Sequence, residues 1–236
     1  MYKLFSILIA ASFGLCIFST GVIAQLSDHN WKFLKPGDYH SDEAPHNPGN
    51  NWLALIFING DWYLKPVKVE VERIEDVVVD QNGEKTGIRI KSKYDKAIGY
   101  FRSAELKQLR PGLVKASNQN FLEKSFYLEE KTLPLKIKFN NTEYSLTFKD
   151  NRVFLTKGSI STEISFLGDH NPDTPDDLKG HHTRLLWAGD LDRDGFLDLI
   201  IENEAYNTSE RCVFLSSIAK SNALLGHFSC HKSVGC

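Results

Sequence analysis

Alternation of apolar and charged side chains with a period of two most narrows the folds open to this chain. Val67, Val69 and Val71 alternate with Lys68, Glu70 and Glu72. Leu135, Ile137 and Phe139 alternate with Lys136 and Lys138. After Asn140-Asn141 the return run sets Tyr144, Leu146 and Phe148 at every second position. Successive side chains of a strand point to opposite faces, so each run makes a strip with one apolar and one solvated face. The two strips flanking Asn140-Asn141 form a hairpin whose apolar triplets share one buried face. No stretch keeps an apolar period of 3.6 over three turns. The expectation is a mainly β fold of antiparallel sheets, arranged as a sandwich, meander or open barrel.

Other segments fill in this plan. Residues 52–58 form a short apolar run before a Gly60-Asp61 turn. Residues 76–80, centred on Val77-Val78-Val79, read as a short strand, and Gln81-Asn82-Gly83 as a turn into residues 87–91. Residues 105–117 have room for one short helix, limited by Pro111. Residues 153–156 and 159–167 extend the meander, and residues 183–188, 197–202 and 211–217 read as further strands. The chain thus divides into residues 1–24, an extended polar segment at 25–50, an antiparallel β region at 51–168, and a second β region at 169–236. That second region carries an acidic loop and packs on the first. Fifteen Phe, eight Tyr and four Trp supply aromatic area for a core. His46-Asn47-Pro48 and His170-Asn171-Pro172 match over three residues, too few for a repeat.

Residues 1–24 have their own character. Lys3 precedes an almost wholly apolar run from Leu4 to Phe18, and Val22-Ile23-Ala24 offers compact residues at the −3 and −1 positions of a cleavage site. This pattern predicts a secretory signal peptide cut after Ala24, with an uncleaved membrane anchor as the alternative. Cleavage leaves no stable membrane span and a secreted or periplasmic chain. It also leaves Cys212, Cys230 and Cys236, which suits one disulfide and one further thiol, with three pairings open. A formal charge of −2, with no basic block, argues against a nucleic-acid partner.

The densest chemistry lies at residues 190–198. Asp190, Asp192 and Asp194 alternate, Gly195 follows, and Asp198 stands three residues on. Four carboxylates this close repel one another unless a cation neutralises them. Ca2+ takes six to eight oxygen ligands in a flexible geometry, and Gly195 permits the sharp turn around it. Counted from Asp190, Phe196 falls at position 7, which offers a backbone carbonyl, and Asp198 at position 9. Position 12, a Glu in an EF-hand, is Ile201, and both flanks read as strands. The loop therefore reads as a calcium site on a β-hairpin. The competing reading is an acidic, solvated turn.

The stretch from Ala188 to Ile201 resembles the calcium loop of FG-GAP repeats, found in integrin α-chain propellers and in bacterial VCBS-type repeats. The resemblance implies a strand-loop-strand site with Asp190, Asp192, Asp194 and Asp198 as ligands and Phe196 giving its carbonyl. Those families repeat the motif around a propeller, whereas one copy stands here. A full propeller and the families' recognition roles are therefore not implied.

Other residues carry weaker signals. His170, His181 and His182 with Asp173 or Asp177 offer zinc-type ligands, but adjacent residues on a strand point to opposite faces. Asn140 and Asn207 begin glycosylation sequons. Trp31, Trp52, Trp62 and Tyr63 read either as core or as an aromatic platform for a glycan. No nucleophile motif is present. The sequence thus predicts an exported calcium-binding β protein, acting as a structural or binding module of the envelope or exterior on a protein or glycan ligand. The alternative is a secreted hydrolase with a structural calcium ion.

Overall fold

The computed structural model describes residues 31–104, 109–117, 126–128, 134–149, 152–164, 182–205 and 207–234. Residues 1–30, and with them the segment expected to be a signal peptide, lie outside that set. The strands, in chain order, are β1 (Phe33–Leu34), β2 (Gly37–Tyr39), β3 (Trp52–Ile58), β4 (Asp61–Val67), β5 (Glu70–Ile74), β6 (Gly87–Lys91), β7 (Gly99–Arg102), β8 (Gly112–Ala116) and β9 (Phe126–Leu128). They continue as β10 (Leu135–Phe139), β11 (Thr142–Lys149), β12 (Arg152–Lys157), β13 (Ile160–Ile164), β14 (His182–Asp190), β15 (Asp198–Ala205), β16 (Thr208–Leu215) and β17 (Gly226–Val234). A 3-10 turn, Ser216–Ile218, follows β16. Every described strand pairing is antiparallel, as the alternating pattern predicts.

One large sheet runs β1-β7-β3-β4-β8-β14-β15-β16-β17, with β9 also paired to β14. Its two ends meet. The backbone N–H of Lys35, just beyond β1, donates to Nδ1 of His231 on β17 at 2.8 Å. Because Nδ1 accepts, the ring proton sits on Nε2, 2.8 Å from the Glu43 carbonyl. Burial pushes His231 down to about 4, so the imidazole is neutral, as this bonding requires. The sheet is thus a nearly closed barrel whose seam is bridged by a side chain.

Two small sheets cover its outside. The interior holds Leu53, Leu55, Leu64, Trp187, Ile200 and Val213. On the outer face of β14 to β16, Leu185, Leu199, Ile201 and Phe214 pack on the β10-β11-β12-β13 sheet through Ile137, Leu146 and Leu155. On the other side, Leu34, Ala54, Ile56 and Tyr100 pack on the β2-β6-β5 sheet through Ile88 and Ile90. Strands buried on both faces read as continuous apolar runs. That is why residues 52–56 and 199–201 lack the alternation seen at β10 and β11. A bulge between Leu185 and Trp187 shifts the register of β14. It turns both Leu186 and Trp187 inward, so Trp187 joins the interior.

Several expectations are corrected. Residues 76–80 form a turn, not a strand. Asp80 N–H donates to the Asp76 carbonyl at 2.9 Å, Val78 N–H to Asp76 Oδ1 at 3.1 Å, and Asp76 N–H to Asp80 Oδ2 at 2.8 Å. The two aspartates satisfy the backbone locally, which outcompetes a ladder. Val77 is left 88% exposed. Residues 112–116 are a strand where a helix had room, the polar segment at 25–50 contributes β1 and β2, and the long final strand β17 gave no clear signal. Of the three disulfide pairings, Cys212–Cys230 is the one formed, between residues directly opposed on β16 and β17. Cys236 lies outside the described residues. Among the described residues no helix is long and apolar enough to cross a membrane.

Candidate metal centre

The acidic loop joins β14 to β15 at the edge of β8. Gly189 pairs with Ala116 of β8. A Cβ there would lie 2.4 Å from the Lys115 carbonyl and 2.6 Å from the Trp187 ring, so only glycine lets β8 approach the strand that enters the loop. Beyond it the backbone turns left-handed at Arg193 (φ 66°) and Gly195 (φ 91°). The left-handed region is costly for a side chain such as arginine. Here the guanidinium is anchored, donating to the Leu113 carbonyl at 3.1 Å and the Arg110 carbonyl at 2.9 Å. On the other flank Asn140 Nδ2 donates to the Gly195 carbonyl at 2.8 Å. The loop is thereby tied to β8 and to the β10–β11 turn.

Coiled in this way, the loop brings carboxylate oxygens of Asp190, Asp192 and Asp194 within 4.8 Å of one another. Asp190 Oδ2 accepts from Gly195 N–H at 3.0 Å, Asp192 Oδ1 from Asp194 N–H at 3.3 Å, and Asp194 Oδ1 from Phe196 N–H at 2.8 Å. Asp198 stands behind them, fully buried. Its Oδ2 accepts from Leu191 N–H at 2.7 Å, and its Oδ1 from Ser216 N–H at 2.8 Å. The Phe196 side chain is exposed. Of the five expected ligands, three are therefore gathered at one point, while Asp198 is committed to the backbone around them.

Two serines that sequence reasoning missed complete the arrangement. Ser217 Oγ donates to Asp192 Oδ2. Ser216 Oγ lies 2.8 Å from Asp194 Oδ2 and 2.9 Å from Asp198 Oδ1. A hydroxyl has one proton, so it satisfies only one of those two carboxylates. Both serines sit in the turn after β16, 18 or more residues from the loop in sequence, and only tertiary pairing brings them there.

The loop's negative charge is compensated only weakly, by Arg193 acting on Asp190 without an ion pair. Among the described residues no lysine or arginine forms an ion pair with Asp190, Asp192, Asp194 or Asp198. Lys115, opposite Asp190 in the β8–β14 register, sends its ammonium to Asn140 instead. Burial, then repulsion from neighbouring aspartates, pushes Asp190 and Asp192 above the usual carboxylate range. Asp198 is pushed well above it, by burial first and Asp192 second. Asp190 Oδ1 is buried and, among the described residues, has no hydrogen-bond partner. A buried polar atom without a partner is rare and costly.

The remaining sequence candidates resolve differently. His170, Asp173, Asp177 and His181 lie outside the described residues, and His182 is exposed at the start of β14. Trp62 and Tyr63 are neighbours on β4 and so face opposite sides. Trp62 packs on the barrel interior, 6.3 Å from Trp187, while Tyr63, Trp31 and Trp52 pack in the outer cluster. The four aromatic residues are therefore core elements of two layers, not one platform. Cys212, Cys230 and His227 also converge, but both sulfurs are taken by the disulfide.

Comparisons with protein-family models, with curated proteins and with solved structures find no match.

Proposed function

We propose that this is an exported β protein that holds one calcium ion in the loop at residues 190–198 and acts as a structural or binding module of the cell envelope or exterior. The observation that carries the reading is the buried, unpartnered Asp190 Oδ1 beside two further carboxylates. An oxygen in that position gains most from a hard cation, and an all-oxygen donor set suits calcium. Asp190, Asp192 and Asp194 are the primary ligands in this reading, with the Phe196 carbonyl beside them. Asp198 Oδ2 accepts one hydrogen bond and keeps a second lone pair for the ion. The resemblance of residues 188–201 to FG-GAP calcium loops supports the assignment. The Cys212–Cys230 disulfide supports an oxidising compartment.

The ion's role is to close the β14–β15 turn onto β8 and the serine turn after β16. Calorimetric titration of chelator-stripped protein with calcium tests this. One site per chain is expected, with a dissociation constant on the order of 10⁻⁴–10⁻³ M. Asp190→Asn keeps the acceptor for Gly195 N–H and removes the charge at Oδ1, so it abolishes the heat of binding while the fold remains. Absence of binding in the wild-type protein, or full binding in the variant, contradicts the assignment.

A further inference from the structure

A cavity of about 840 Å³ opens beside the barrel interior. Its wall is formed by β3 at Ile56 and Phe57, by the segment Lys93 to Ile98, and by Leu186 and Arg211 from the opposite side of the sheet. That volume lies within the range of small-molecule pockets. The segment at 93–98 is held in place: Ile98 N–H donates to the Leu55 carbonyl at 2.9 Å, and Ala97 N–H to the Tyr94 carbonyl at 3.2 Å. The cavity is thus built on ordered backbone.

Its charge has one dominant sign. Lys93, Lys96 and Arg211 line it against the single acid Asp95. Arg211 is the fixed element. Its Nε and Nη2 donate to Glu202 Oε1 at 3.1 and 2.7 Å, and its Nη1 donates to the Ile98 carbonyl. These bonds use three of the five guanidinium N–H donors. Two donors remain on a mostly buried, immobilised cation, whose ordering cost is already met before any ligand arrives. The rest of the lining is largely aliphatic and aromatic.

We infer that this cavity binds a small amphipathic carboxylate, with the apolar chain against Phe57 and Leu186 and the carboxylate at Arg211 and the lysine rim. The inference does not depend on the calcium reading. The test is calorimetric titration of the whole protein, in buffer free of divalent cations, with dodecanoate below its micellar concentration, beside dodecanol and dodecyltrimethylammonium. Dodecanoate is expected to bind at one site per chain, about tenfold or more tighter than the neutral or cationic analogue, since a charge-assisted hydrogen bond accounts for a factor of that order. The rim variant Lys93→Glu with Lys96→Glu changes exposed side chains only and should weaken dodecanoate about tenfold. Leu186→Trp fills the cavity and should remove binding, with an unchanged circular dichroism spectrum as the control for folding. Should Leu186→Trp unfold the chain, the rim variant alone decides. No binding of dodecanoate, equal binding of the three probes, or binding undiminished in the rim variant overturns the proposal.

Discussion

Asp198 and Glu202 lie four residues apart on β15, and both are buried. Alternation along the strand puts their side chains on the same face. Their surroundings are opposite. Glu202 meets Lys35 at 3.3 Å, Arg211 at 2.7 Å and Arg184 in a close pair. Burial alone would raise its pKa, but the three cations outweigh burial and hold it at about 2. Asp198 and the three aspartates in front of it have no such cation among the described residues, and burial drives Asp198 well upward. At one end of the strand the chain brings its own counter-charges. At the other it concentrates carboxylates and, among the described residues, pairs none of them with a cation. Arg193, in the loop itself, acts on Asp190 only at longer range, while its guanidinium bonds the Leu113 and Arg110 carbonyls. A fold that so fully neutralises one buried acid shows that cations are available to it, and the proposed calcium ion would supply the counter-charge that no ion pair among the described residues gives the acidic loop.

The two ends should respond oppositely to loss of charge. Glu202→Gln leaves three cations around a neutral amide, and breaking a buried ion network of this kind costs about 3–5 kcal/mol, read from urea unfolding. Asp190→Asn in chelator should be neutral or slightly stabilising, because it relieves repulsion. A large destabilisation by both variants would erase the contrast.

Acid sharpens the comparison further. Asp190 and Asp192 have folded pKa values above their unfolded ones, so the calcium-free protein binds extra protons when folded. Its loop is most stable at low pH and loses that stability as pH rises through the raised values. His231 acts the other way. Its folded value of about 4 lies below the ordinary histidine value of 6.5, so its contribution is complete above about 6.5 and is lost as pH falls toward 4. His231 is common to both forms. The stability difference between calcium-loaded and chelated protein should therefore shrink from about 1–2 kcal/mol at pH 7 toward zero as pH falls through the raised carboxylate values. A difference independent of pH would detach the ion from these carboxylates.

How much of this was legible in the sequence follows from how local each signal is. The β10–β11 hairpin is a period-two pattern about Asn140-Asn141, where both asparagines take positive φ, and it was readable. The acidic loop was readable for the same reason, since Asp190, Asp192, Asp194 and Gly195 act within one turn. Residues 76–80 misled because three valines favour a strand, while Asp76 and Asp80 cap a turn around them. Barrel closure through His231, the serines at 216 and 217, and the cations around Glu202 each join residues far apart in sequence. Cross-strand register on β14 to β17 places Arg184, Glu202, Arg211 and His231 in one row, and no spacing rule announces that row.

The measurement that bears most directly on the central claim is the melting temperature of the wild-type protein at pH 7 in 5 mM calcium and in excess chelator. A site of the affinity proposed adds about 1–2 kcal/mol under these conditions, which raises the melting temperature by roughly 2–8 °C for a chain of this size. Identical melting curves in calcium and chelator would contradict the account.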